Sequence, residues 1–254
     1  MNMLLKKATP LISVLVLSCA SNTRPAAVDA KQVDETTGNY WSEKYSTGSG
    51  LRYVITFPKS YDTEIHTQYP VILFLHSMEE RGSDIRVLLQ NPAGEGNGIA
   101  PYALQNEYEC ITVTPLCPQK SYWPRLTKKL NLLLTDIVSA YRVKKQNIYV
   151  TGVSMGGMGV WSLSMKYPHW FAAIAPISGG IYFPYMRENI AAIKDIPVWG
   201  FHDRYDPSIP LSKEQGTIDR LRKAGTVGNI QFPKKASITF MRKYSAMENC
   251  FPGS

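Results

Sequence analysis

A chain of 254 residues with 44% hydrophobic and 11% aromatic content is sized for one large α/β domain, and it is too apolar to be a disordered or collagen-like polymer. Its 28 Lys and Arg against 20 Asp and Glu leave a formal charge of +8. That excess is scattered rather than gathered into a basic stripe with interleaved aromatics, which sets nucleic-acid binding aside.

The N-terminus carries Lys6 and Lys7, then an apolar run from Leu11 to Leu17, then Ser18 and Cys19. This is a positive segment followed by a short hydrophobic one, too short to span a bilayer as a mature helix. Val16-Leu17-Ser18-Cys19 resembles a bacterial lipoprotein signal in which Cys19 is lipidated and becomes the first residue. Cleavage by the ordinary signal peptidase is the other reading, because Leu17 departs from the usual choice at its position. Residues 1–18 are thus read as a signal peptide, 19–45 as a polar tether and 46–254 as the folded domain. The expected location is the cell envelope, with membrane contact through the lipid only, or otherwise secretion.

Leu51–Phe57 alternates apolar and polar residues before Pro58 and predicts an antiparallel or edge strand. Tyr69–Leu75 is a continuous apolar run, as expected of a central parallel strand covered on both faces. Residues 91–101 predict a loop, and Cys110–Thr114 a strand stopped by Pro115. Leu126, Leu130, Leu133, Leu134, Ile137, Val138 and Tyr141 recur at helical spacing over 124–141. Further along, the sequence predicts strands at Asn147–Gly152, Phe171–Ala175, Ile196–Phe201 and Ser237–Met241. Helices are predicted at Met155–Tyr167 and Leu211–Ala224, the second closed by Gly225. Strand–helix alternation from residue 70 onward implies a doubly wound, mostly parallel α/β sheet, whose ligands sit at the C-terminal strand ends.

Three stretches carry chemistry. Gly152-Val153-Ser154-Met155-Gly156 lies between a strand and a helix. A G-x-S-x-G match alone is weak, but a tight strand-to-helix turn needs small residues on both sides, so that a serine can occupy a strained backbone and point outward. The helix N-terminus places N–H groups, Met155 first, where an oxyanion would form. His76–Gly82 follows the buried strand and can supply a second amide, for which Met78 is the candidate, with His76 read as a structural hydrogen-bonder of the loop. In His202–Pro210, Asp206 stands where a carboxylate could orient an imidazole. The alternative for Asp206 is a turn or helix-entry aspartate.

Tyr69–Asp84, Pro115–Pro118, Ile148–Gly157 with Trp161, and Phe201–Pro210 together resemble the α/β-hydrolase superfamily over residues 52 to about 250. The branch resembled contains phospholipase/carboxylesterase-like enzymes and secreted feruloyl-esterase or polyhydroxybutyrate-depolymerase-like esterases. The resemblance implies Ser154 as nucleophile, Asp206 as acid, an oxyanion hole at Met78 and Met155, no metal and no organic cofactor. A small-molecule or polysaccharide-linked ester would be the substrate. Tyr122, Trp123 and Trp161 would suit an acyl or aryl group, or else serve as packing. Ser77 departs from the family, which has glycine there.

A larger departure concerns the base. The family order is Ser, Asp, His, yet no histidine follows His202. Asn249, Cys250 and Phe251 resemble the residues after the family's histidine, which puts Glu248 at its position. The final helix of the family is missing as well, which makes truncation an expectation. A serine hydroxyl without a base is a weak nucleophile, and a carboxylate of ordinary pKa is a poor substitute at neutral pH. His202 is a weak candidate for that role, and His66 and His169 read as surface residues. A disulfide between Cys117 and Cys250 is one structural expectation. The alternative to an esterase is a catalytically impaired or truncated pseudo-hydrolase, acting as a binding module or as no functional product.

Overall fold

The computed structural model describes residues 32–33, 39–89, 98–105, 108–181 and 189–226. The predicted strand at 237–241, Cys19, Glu248 and Cys250 lie outside the described residues, as does the C-terminal region on which the expectation about a last helix bears.

Seven strands form one sheet: β1 (Gln32–Val33), β2 (Tyr40–Ser46), β3 (Leu51–Phe57), β4 (Tyr69–Leu75), β5 (Ile111–Pro115), β6 (Val143–Val153) and β7 (Ala173–Ile177). Their order is β1-β2-β3-β5-β4-β6-β7. The first three, and β3 with β5, pair antiparallel. The central and far strands β5, β4, β6 and β7 run parallel. The segment 196–201 extends this parallel part, sharing three backbone hydrogen bonds with β7 and one with Ser178 just beyond it, and forming bridges at Ile174↔Val198 and Ile177↔Phe201.

The period-two geometry of β4 explains its unbroken apolar sequence. Val71, Leu73 and Leu75 join the core built by helices α2 (Thr127–Ala140) and α3 (Met155–Lys166). Ile72 and Phe74 point the other way, onto Ile99 of helix α1 (Ile99–Gln105). On α2, Leu130, Leu133, Leu134 and Ile137 are wholly buried at the predicted helical spacing. Helix α4 (Leu211–Lys223) adds Ile218 and Leu221 to the same core, and Gly225 (φ +93°) follows it in the left-handed conformation that glycine adopts without strain.

Two expectations need correction. Residues 40–45, read as tether, belong to β2, which pairs residue for residue with β3 and stacks Tyr40 on Phe57 at 4.9 Å. Its apolar residues, Tyr40, Trp41 and Tyr45, do not alternate as those of its partner do, so the strand is formed by the hairpin rather than by its own pattern. The predicted loop at 91–101 gives way at Ile99 to α1, whose Pro101 is tolerated because it lies in the first turn.

Helix α3 meets the sheet backbone to backbone. A Cβ on Gly156 would lie 1.8 Å from the Leu75 carbonyl oxygen, and one on Gly152 2.6 Å from the same atom. Gly159 lets Trp123 approach, where a Cβ would sit 2.4 Å from the Trp123 Cβ. Gly216 in α4 has open space around it. Gly156→Ala is therefore expected to cost more than about 3 kcal/mol, because the obstructing atom is main chain. Gly216→Ala should add about 1 kcal/mol of helix propensity. Urea unfolding of both variants checks the contrast.

Candidate active site

Ser154 sits at the junction of β6 and α3 with φ 56° and ψ −115°. A non-glycine residue in this region is strained by about 1–3 kcal/mol and persists only when its surroundings impose it. The imposition is visible. The Ser154 N–H donates to the Ile177 oxygen at 2.9 Å, the Met158 N–H donates to the Ser154 oxygen at 3.0 Å, and Gly152 and Gly156 close on the Leu75 carbonyl. The Ser154 side chain makes no cap bond to its own helix. Met155 opens α3, so its amide belongs to the helix N-terminus where N–H groups lack intrahelical acceptors.

The three sequence-predicted stretches leave the same end of the sheet. Leu75, after which the His76–Gly82 loop begins, pairs with Gly152. Val153 pairs with Ile177, and Ile177 bridges to Phe201, after which the Asp206 loop begins. Ser154, Met78 and Asp206 thus follow the C-terminal ends of neighbouring strands.

The loop after β4 is latched by His76, which is 1% exposed. Its Nε2 accepts the Cys117 N–H at 3.0 Å, which puts the ring proton on Nδ1, donating to the Ser77 oxygen at 2.7 Å. Its carbonyl accepts the Trp123 indole N–H at 2.9 Å. Both ring nitrogens are committed to the loop, as expected of a structural histidine. Burial, countered only in part by the Ser77 carbonyl, lowers its pKa to about 4. The Ser77 hydroxyl, where glycine was expected, reaches the Glu80 carboxylate at 2.6 Å and also contacts Glu79. One hydroxyl proton serves only one carboxylate at a time, and burial raises the pKa of Glu80 although the Ser77 bond pulls it down. Met78 is half exposed, and Arg81 ties the loop to Ser121 through a 3.1 Å bond.

Asp206 is partly buried, and its Oδ1 accepts the N–H groups of Ser208 at 2.8 Å and Ile209 at 2.9 Å. His202 is wholly buried. Its Nε2–H donates to the Ile209 oxygen at 2.8 Å, and its Nδ1 faces the Glu214 carboxylate at 3.7 Å. His202 is thereby fixed in the wall beneath the Asp206 loop. Burial alone would lower its pKa, but Glu214 and the Ile209 carbonyl outweigh that and raise it. His66 and His169 are exposed.

Two of the three aromatics suggested for an acyl group are packing. Trp123 and Trp161 are 0% exposed, and their indole N–H groups go to His76 and to Glu214. Sequence reasoning missed Glu214 altogether. Its signal was its place on the buried stripe of α4, with Thr217, Ile218 and Leu221 at i+3, i+4 and i+7.

A lowered histidine pKa makes stability fall with acid. Above pH 6.5 both folded and unfolded His76 are neutral. Below it the unfolded ring takes up a proton that the folded ring refuses until about pH 4. His76 is thus expected to withdraw up to ~3 kcal/mol between those two values, and to contribute no further slope below them. Ring nitrogen NMR shifts check this: the neutral Nδ1–H tautomer should persist at pH 5, and a cationic ring at that pH contradicts it.

No protein-family profile matches the chain. It is 30% identical over 79 residues to the candidate esterase NocK of Nocardia uniformis subsp. tsuyamanensis, covering 31% of this chain and 22% of that one. It is 25% identical over 205 residues to an S-formylglutathione hydrolase of Paracoccus denitrificans (strain Pd 1222), covering 70% of each. Among solved structures it resembles a thermostable esterase (25% identity, TM-score 0.65, 86% of this chain and 60% of that one). It also resembles a ferulic acid esterase (17% identity, TM-score 0.62, 84% and 95%). The chain thus spans less than two thirds of NocK and of the thermostable esterase. With the sheet order, the strained serine turn and these likenesses together, the chain has the α/β-hydrolase fold, and the proteins it resembles are esterases and hydrolases of that fold.

Proposed function

We propose that the chain is an exported, lipid-anchored, serine-dependent carboxylic ester hydrolase. The observation that carries the reading is Ser154, held at positive φ by backbone contacts that leave its hydroxyl free of any cap bond to α3. A strained serine between a parallel strand and a helix N-terminus is the arrangement acyl transfer requires. In this reading the Ser154 oxygen attacks the ester carbonyl, and the oxyanion is met by the Met155 and Met78 amides. The alcohol leaves, and water then cleaves the acyl-enzyme. Asp206 supplies the carboxylate of the acid loop. The chemistry uses no metal or organic cofactor. The likeness to a ferulic acid esterase supports a small-molecule or polysaccharide-linked ester as substrate.

The proton of Ser154 needs an acceptor, and Glu248 stands where the superfamily keeps histidine. Sites of this kind without their base retain about 10³–10⁴-fold acceleration over water from binding and the oxyanion hole. A specific observation favours a second reading, a catalytically impaired pseudo-hydrolase acting as a binding module. All four histidines precede Asp206; His76 has both ring nitrogens hydrogen-bonded within its loop, and His202 is buried with Nε2 bonded to Ile209 and Nδ1 facing Glu214 at 3.7 Å.

The full chain with methyl ferulate and p-nitrophenyl acetate distinguishes the two. The hydrolase reading expects turnover within that range, lost in Ser154→Ala, with fluorophosphonate labelling that needs Ser154. It also expects Glu248→His to raise kcat by at least about 100-fold. No labelling of either form at any pH between 5 and 8 leaves the binding-module reading. For the anchor, incorporation of labelled fatty acid in a bacterial host should vanish in Cys19→Ala. Incorporation that survives the substitution removes Cys19 as its site.

A further inference from the structure

Glu214 lies in the first turn of α4, where an acidic side chain ordinarily answers the amides of its own helix or the solvent. It does neither. It is 0% exposed, and both of its oxygens go to other parts of the molecule. Oε1 accepts the Trp161 indole N–H at 3.1 Å, and Oε2 accepts the Gly179 N–H at 3.0 Å. Oε2 also faces His202 Nδ1 at 3.7 Å.

Each of those three partners leads to the candidate site. Trp161 is on α3, the helix that Ser154 opens. Gly179 follows Ile177, whose carbonyl holds the Ser154 N–H, and a Cβ on Gly179 would lie 2.6 Å from the Gly157 carbonyl carbon in the first turn of α3. His202 donates to the Ile209 oxygen, while the Ile209 N–H goes to Asp206 Oδ1. One buried carboxylate therefore hydrogen-bonds the helix of the nucleophile and the turn that seats it, and at 3.7 Å it faces His202, which begins the loop of the acid. A side chain needed only to fill this stripe would be apolar, since an unpaired buried carboxylate is costly and its hydrogen bonds must be met in full.

We infer that Glu214 is a positioning residue that locks the Asp206 loop to the Ser154 turn, an inference that rests on the ester-hydrolase reading for its consequence in catalysis. The carboxylate acts because it accepts at both oxygens. Glutamine keeps one acceptor and turns the other into an amine facing a donor, so Glu214→Gln breaks one link with little change of volume.

The test uses the full chain as wild type, Glu214→Gln and Thr217→Val. Thr217, one turn further along α4, accepts the Ile181 N–H at 2.8 Å and contacts neither Asp206 nor Ser154 in the described hydrogen bonds, so its variant reports general loosening of α4. Amide hydrogen exchange in Glu214→Gln should speed up at least about tenfold in peptides covering 177–180 and 203–210, and not in α2. Its kcat should fall about 10–100-fold with KM within about threefold, as misplacement of reacting groups does. Thr217→Val should keep kcat within about twofold while its Tm falls. Unchanged exchange in both peptides overturns the inference whatever the activity. Equal loss of kcat in the two variants at equal loss of Tm overturns it too, leaving Glu214 a support of the fold. Wild type without Ser154-dependent turnover overturns the ester-hydrolase reading instead, and exchange then decides by itself whether Glu214 joins the loop to the turn.

Discussion

Helix α3 meets the end of β4 main chain against main chain. Gly152 and Gly156 press on the carbonyl of Leu75, with no room for a Cβ on either. That contact brings the N-terminus of α3 down onto the end of β4, and it forces the residue between the glycines into positive φ. The strain at Ser154 is thus not a local choice of the turn. It is set by how near a helix can come to a sheet when both present bare backbone, and the packing of α3 on β6 and β7 holds it there. The geometry that would make Ser154 reactive exists because helix and sheet are packed this tightly.

Around that contact the loops are held from behind. His76 and Glu214 do similar work on opposite sides of Ser154. Each is a buried polar side chain whose acceptors meet N–H groups from other segments: Cys117 for His76, and Trp161 and Gly179 for Glu214. Two tryptophans serve as donors in these links, which is why Trp123 and Trp161 are wholly buried with their indole nitrogens satisfied. The loop bearing Met78 and the loop bearing Asp206 can be exposed at the strand ends because their bases are fixed by such interior bonds.

Several elements were legible from pattern alone. The run Val71–Leu75 had to be covered on both faces because it has no polar side chain, and Leu130, Leu133, Leu134 and Ile137 had to be one face of a helix. The glycine–serine turn was legible because its spacing leaves few alternatives to a strand-to-helix elbow. Strand β2 was not, since most of its residues are indifferent to being a strand and acquire that state from the register with β3. Helix α1 was hidden by prolines and glycines that mark a loop until the first-turn position of Pro101 is known.

The sequence by itself determined the α/β alternation, the glycine-flanked turn at Ser154, Asp206 as a candidate acid and the scarcity of histidine that makes Glu248 a question. Those features rest on spacing along the chain, where local sterics and periodic burial speak directly. Tertiary structure alone decided the tautomer of His76, the burial of Trp123 and the two-sided role of Glu214. A side chain's partner is chosen by what lies across the core, and Glu214 meets groups 35 and 53 residues away. Desolvation and hydrogen-bond satisfaction, which give such a group its role, exist only once those distant segments are packed together.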